Sequence, residues 1–139
     1  MAEGYTQVGK SIPKIDALEK ALGRAQYIAD LARPNMLHGA MVQSPYAHAR
    51  IISYDTSAAA RLPGVRCVLT GDDFGDGKMG PFIKDESAIA KGKVLYTGEP
   101  VACVAAEDEA TARAAALLVE VEYEELTPVL SPEQALQPG

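Results

Sequence analysis

Sulfur and imidazole are scarce in this sequence. Two cysteines, Cys67 and Cys103, cannot build a disulfide framework, and with no CxxC pair and only His38 and His48 to help they make no zinc site. Each lies in an apolar run, VRCVLT and VACVAA, which predicts buried, reduced thiols acting as small hydrophobes and a cytoplasmic protein. Positive charge is also in deficit. Lys and Arg number 13 against 19 Asp and Glu, and no basic block exists. Nucleic acid is therefore excluded as a partner, because phosphate binding needs clustered cations that release counterions. Long hydrophobic runs are missing as well. The most apolar windows, Pro100 to Ala106 and Ala110 to Val119, fall short of the roughly 18–20 residues a spanning helix needs, so no membrane partner is expected. The opening MAEGYTQVGK lacks a basic stretch followed by an apolar one, and no secretory signal is expected.

What is present reads as one folded domain. The chain is 47% hydrophobic against 23% charged, well away from the composition of disordered chains. DALEKAL favours a short helix from Asp16 to Leu22, interrupted at Gly23, with an extended piece near Ala25 to Ala29. Strands are predicted at Met36–Gln43, Ala49–Tyr54 and Val65–Thr70, the last two separated by a short helix, Ala58 to Leu62, that Pro63-Gly64 ends. Further strands follow at Val94–Tyr96 and Val101–Ala106, joined by the tight Thr97-Gly98-Glu99-Pro100 connection. The main helix, about 108–118, opens on Glu107, Asp108 and Glu109, where its dipole favours negative charge. VEVEYEEL then alternates Val119, Val121 and Tyr123 with Glu120, Glu122 and Glu124, the period of a strand with one wet face, which accounts for this carboxylate row better than a cation site does. Ser131-Pro132-Glu133-Gln134 is a capping box with proline at the first helical position. The fold class expected is α+β, a mixed, mostly antiparallel sheet with one main helix and short ones.

The stretch Ser44 to Arg50, SPYAHAR, brings a hydroxyl, an imidazole and a guanidinium close in sequence. Ser44 and His48 stand across a proline in extended chain, where their side chains do not converge, and the Gly-x-Ser-x-Gly elbow of hydrolases is missing. Ser44 and Pro45 are read instead as a bend, with His48 and Arg50 on one side of the next strand, hydrogen-bonding to a neighbouring loop or subunit. Ser44, His48 and Arg50 are thus a candidate partner interface. No residue is assigned to catalysis, cofactor binding or metal ligation. The loop GDDFGDGKMG (71–80) lacks both phosphate-loop patterns and is acidic where a phosphate wants donors. Its Asp72, Asp73 and Asp76 lack the spacing of a calcium loop. A mobile or partner-clasped loop is the expectation. Lys78-Met79 in a glycine-rich turn resembles the lysine hairpin that carries biotin or lipoate, so an independent small binding or carrier module is the alternative function. Asp85, Glu86 and Glu99 are read as solvated loop carboxylates rather than an acid–base pair.

Read together, GRAQYIADL (Gly23 to Leu31), SPYAHARIISYDTSAAARLPGVRCVLTGDD (Ser44 to Asp73) and DESAIAKGKVLYTGEPVACVAAEDEATARAAALLVEVEYEELTPVL (Asp85 to Leu130) resemble one family. The elements R-A-x-Y-x-x-D, S-x-x-A-H-A-R-I, L-P-G-V and V-x-Y-x-G-x-P-V-A are similar, in order, to the N-terminal α/β-hammerhead domain of the large, molybdopterin-binding subunit of molybdenum hydroxylases. These include xanthine dehydrogenases, aldehyde oxidoreductases, carbon monoxide dehydrogenase and hydroxybenzoyl-CoA reductase. The resemblance implies a hammerhead over residues 8–136, a tail at 1–7 and a linker-like end at 137–139. It also implies a strand at 24–30 despite helical propensity there. It further implies membership of an oxidoreductase acting at molybdenum held by molybdopterin, with FeS and FAD on partners and no cofactor bound by this chain. The implied partner is the remainder of the molybdopterin-binding large subunit. In that family the water-activating glutamate and the pterin-gripping segments lie beyond the hammerhead, so this chain alone is expected to be inert.

Overall fold

A computed structural model describes residue 4 and residues 6–137; the expected tail and linker-like end fall largely outside them. The chain forms two compact units, Met1–Pro34 and Asn35–Gly139.

Among its described residues the first unit holds one short α-helix, α1 (Ala17–Ala21). Gly23, at φ +67°, ends it: the Gly23 N–H bonds to Lys20 O at 3.2 Å and the Arg24 N–H to Glu19 O at 2.8 Å. This pair of reversed bonds needs a left-handed residue, which glycine adopts without steric cost. The strand expected at 24–30 does not form. Residues 24–27 carry no ladder, and Ile28–Asp30 is a 3₁₀ turn in which the Asp30 carboxylate accepts the Tyr27 N–H at 2.9 Å. A side chain has taken the donor that a strand partner would have used.

The second unit carries two three-stranded sheets, where one was expected, and every strand pair is antiparallel. In the first, β5 (Pro100–Ala106) lies between β1 (His38–Gln43) and β3 (Val65–Thr70). In the second, β2 (Ala49–Asp55) lies between β4 (Lys93–Val94) and β6 (Glu120–Glu125). The α+β class holds, with α2 (Ser57–Arg61), α3 (Glu109–Ala116) and α4 (Pro132–Ala135) completing it. The acidic start expected of α3 is present, and the structure adds a cap: Asp108 Oδ1 accepts the Thr111 N–H at 2.8 Å. Ala112 and Ala115 are fully buried, and their small side chains let the helix approach the sheet closely.

Two clusters make the core. Ala59, Ala102, Val104, Ala115 and Val119 fill the space between the first sheet and its helices, and Ala49, Ile51, Ala90, Val94 and Val101 fill the second. Val42 and Val121 pack against both. β6 alternates as its sequence requires, with Glu120, Glu122 and Glu124 exposed and Val121 and Tyr123 turned inward.

Three local expectations need correction. β4 stops at Val94 because the Glu99 carboxylate captures the Leu95 N–H at 2.5 Å, ending the ladder. Cys67 is exposed and Cys103 half-buried, since β3 is an edge strand and both thiols point away from α3. At α4, Ser131 Oγ accepts from Gln134 N, but the Gln134 side chain turns to the Leu130 N–H at 2.8 Å instead of closing a reciprocal box.

Candidate functional site

The Ser44–Arg50 segment leaves β1 at Gln43 and enters β2 at Ala49. Ser44 is 2% exposed and ties together four backbone groups. Its N–H donates to Glu99 O (2.9 Å), its carbonyl accepts from Gly98 N (2.8 Å), and its hydroxyl meets Tyr46 N (3.0 Å) and Tyr46 O (3.2 Å). A serine whose hydroxyl bonds the backbone two residues on is a turn-forming device. Ser44 and Pro45 therefore do form the bend.

His48 is held by the loop after β6. Its Nδ1 lies 2.8 Å from Thr127 O, and its own carbonyl accepts from Leu126 N at 2.9 Å. A carbonyl only accepts, so Nδ1 is the donor in that bond. Ser44 and His48 thus address different backbone groups, and no proton relay links them. Arg50 Nη1 reaches Glu124 Oε2 at 3.1 Å across the β2–β6 ladder, where the two residues are register partners. Ser53 similarly donates to Glu122 at 2.9 Å. Two carboxylates of the β6 row are thereby matched to β2.

Beneath the segment, Tyr46 and Tyr123 pack with ring centroids 5.2 Å apart. Burial pushes the Tyr123 phenol up, offset in part by the adjacent Ser44 hydroxyl. Beside it, Ala47, His48, Leu95, Tyr96, Val129 and Leu130 line an open groove of about 440 Å³. Leu95, Tyr96, Val129 and Leu130 are all more than half exposed, from 57% to 74%. Sequence patterning carries no sign of this: the four residues come from two connections distant in the chain, and only folding brings them to one side of His48.

The glycine loop is more ordered in its bonding than its composition suggested. Gly71–Asp73 is a 3₁₀ turn capped by Thr70, and Asp73 accepts the Thr70 N–H at 2.7 Å. Met79 and Glu86 form an isolated antiparallel bridge. Lys78 donates to Ser87 Oγ at 2.8 Å, and Lys91 to Asp76 at 2.8 Å. That ammonium holds the Asp76 carboxyl below the usual range, and the carboxylate in turn raises Lys91. Asp72, Asp73 and Asp76 are thus not gathered around a common point, and a lysine bonded across the loop is poorly presented for carrying a prosthetic group. Glu99, expected in solvent, is only 8% exposed, because its carboxylate closes the 95–99 turn; Asp85 and Glu86 are exposed. Among the described residues no group of three or more His, Cys, Asp or Glu is placed to hold a metal ion, and no helix is long and apolar enough to cross a membrane.

The arrangement is a bonded bend, with His48 tied to the loop after β6 and Arg50 to Glu124, and an open, largely apolar groove beside His48.

Residues 22–127 match the family model described as the aldehyde oxidase and xanthine dehydrogenase a/b hammerhead domain. The chain is 41% identical over 125 residues to a probable xanthine dehydrogenase component of Bacillus subtilis, covering 89% of this chain and 17% of that protein. It is 37% identical over 138 residues to the nicotinate dehydrogenase large molybdopterin subunit of Eubacterium barkeri, covering 99% and 32% respectively. A reconstituted CO dehydrogenase from Oligotropha carboxidovorans superposes with a TM-score of 0.88 at 38% identity, over 94% of this chain and 17% of that one. The chain therefore spans less than a third of each of these relatives.

Proposed function

Because the chain belongs to the α/β-hammerhead family of aldehyde oxidases and xanthine dehydrogenases, we propose that it is the non-catalytic hammerhead portion of a molybdenum hydroxylase-type oxidoreductase. Its task is to pack against the molybdopterin-binding domains that complete the large subunit. His48 and Arg50 stand at the rim of that contact, and Ser44 holds the bend that presents them. The observation that carries this reading is an open apolar groove on a chain matching only 17% to 32% of relatives that continue well beyond it.

Molybdopterin is the cofactor of the whole enzyme in this reading, with FeS and FAD on partners, in the cytoplasm. The residues of the 71–80 loop do not fit the pterin. A pterin phosphate wants free donors and positive charge, whereas Lys78 and Lys91 are engaged by Ser87 and Asp76 and the surrounding loop is acidic. No redox step is assigned to this chain.

The test is co-purification of the tagged chain from its native source, followed by metal analysis. A larger molybdopterin-binding chain should accompany it, carrying all the molybdenum. A chain that comes out alone, or that turns over an aldehyde or purine unaided, defeats the proposal.

A further inference from the structure

Among the described residues four strands lie at sheet edges, β1 and β3 in the first sheet and β4 and β6 in the second. An edge offers unpaired N–H and C=O groups to another chain, and proteins blunt it with charge, brevity or bulges. Three of the four are blunted in this way. β4 has two residues, β6 carries Glu120, Glu122, Glu124 and Glu125, and β3 carries Arg66 where its register with β5 slips. β1, with the sequence HGAMVQ, has no Asp, Glu, Lys, Arg or Pro, and its register breaks only at its last residue. Among the described residues no backbone bond other than its ladder with β5 reaches it.

The flank above this edge is open as well. α3 lies over β1 and β5, with Ala115 packed among Ala102, Val104 and Val42. Its β1 side carries Glu109, Arg113 and Leu117, which with Gly39, Ala40 and Met41 line a groove of about 460 Å³. Met41 is 59% exposed and Leu117 87%. Arg113 Nη2 and Glu109 Oε1 pair at 2.5 Å, one helical turn apart.

We propose that the β1 edge pairs antiparallel with β1 of a second copy of this chain, turning two three-stranded sheets into one of six strands. The inference goes beyond the proposed function above and does not depend on it. Symmetry and charge select this occupant. The two-fold axis of an antiparallel β1 pair stands perpendicular to the sheet, so both α3 helices fall on the same face. With strands about 4.8 Å apart and each α3 centred between β1 and β5, the helix axes come about 10 Å apart, the distance of packed helices. They run antiparallel, so the order Glu109, Arg113 on one meets Arg113, Glu109 on the other. The set is its own complement. The buried strip, about 20 Å long and two layers deep, is on the order of 400 Å² per partner, half of the roughly 800 Å² of a standard interface. Association is therefore weak, with dissociation in the range of ~0.1–1 mM.

Sedimentation equilibrium of the full chain from ~10 µM to ~1 mM is to be read beside hydrogen exchange of the β1 amides. The expected result is a monomer–dimer curve in which the β1 amides that face away from β5 slow at least ~2-fold at the top of the range. Arg113→Glu should weaken association ~10-fold or more, and adding Glu109→Arg, which restores the alternation in reverse, should recover it. Both side chains are more than half exposed, so the circular dichroism spectrum should match the parent's. A chain that is monomeric at ~1 mM overturns the inference. So does a dimer whose β1 amides exchange as in the monomer, or one indifferent to Arg113→Glu. Should that variant fail to fold, Met41→Lys puts charge on the edge instead, and an undiminished dimer then overturns it. None of these outcomes bears on the larger chain sought above, so the two readings fail separately.

Discussion

Removing one oxygen separates a structural Ser44 from a chemical one. Ser44→Ala leaves both backbone bonds of the residue intact but strips the Tyr46 N–H of its acceptor, 3.0 Å away. The site is 2% exposed, so water cannot readily replace the hydroxyl. A stranded, partly buried donor costs about 1–3 kcal/mol. The deleted hydroxyl no longer has to be desolvated, which trims the net loss to about 1–2 kcal/mol. With a urea m-value of roughly 2 kcal/mol/M, the middle of the range for small proteins, the unfolding midpoint should fall by about 0.5–1 M at unchanged slope. Hydrogen exchange should show the Tyr46 amide opening faster while the β5 amides, deep in the first sheet, open only as much faster as global stability dictates. In the assembled enzyme the variant should retain turnover in proportion to the folded chain recovered. An unchanged or raised midpoint would refute the acceptor role. Abolished turnover with normal stability and assembly would restore Ser44 as a reactive group.

Two further outcomes follow from the same geometry. Gly71→Ala puts a methyl carbon 2.0 Å from Ala90 O, a backbone atom that cannot swing away, so the 89–91 segment must shift. A loss of about 1–3 kcal/mol in chemical denaturation is expected, and a neutral variant would show that this segment yields freely. The Tyr54 phenol, half-buried, near Asp72 and donating to Ala90 O at 3.3 Å, is pushed up to about 12 from a usual value of roughly 10, chiefly by desolvation. The folded state therefore holds this proton more tightly than the unfolded state. Its stabilisation is complete below about pH 10 and is lost as pH rises through about 12, so stability should decline over that window. Tyr54→Phe should flatten the decline, and a profile identical to the parent's would exclude Tyr54 as its source.

Much of the fold is legible residue by residue. The run Val65–Thr70, the isoleucines of β2 and the Val/Glu alternation of β6 announce strands through their own period. The acidic run at Glu107–Glu109 announces one helix start through the dipole and Ser131 another through cap chemistry, both operating within a few residues. The bend at Ser44-Pro45 and the sidedness of His48 and Arg50 are equally local. The α+β class, and through ordered motifs the family, are therefore written in the chain itself.

Tertiary structure decided which faces are covered and which backbone groups are taken. Two similar apolar runs around Cys67 and Cys103 carry no hint that one belongs to an edge strand and opens to solvent. Glu99 is buried, and β4 cut short, by one hydrogen bond that composition does not encode. The 24–30 segment failed as a strand because Asp30 reached the Tyr27 donor first. In each case the outcome hangs on a partner supplied by folding, whereas propensity and period describe only what a segment can do while its neighbours are unspecified.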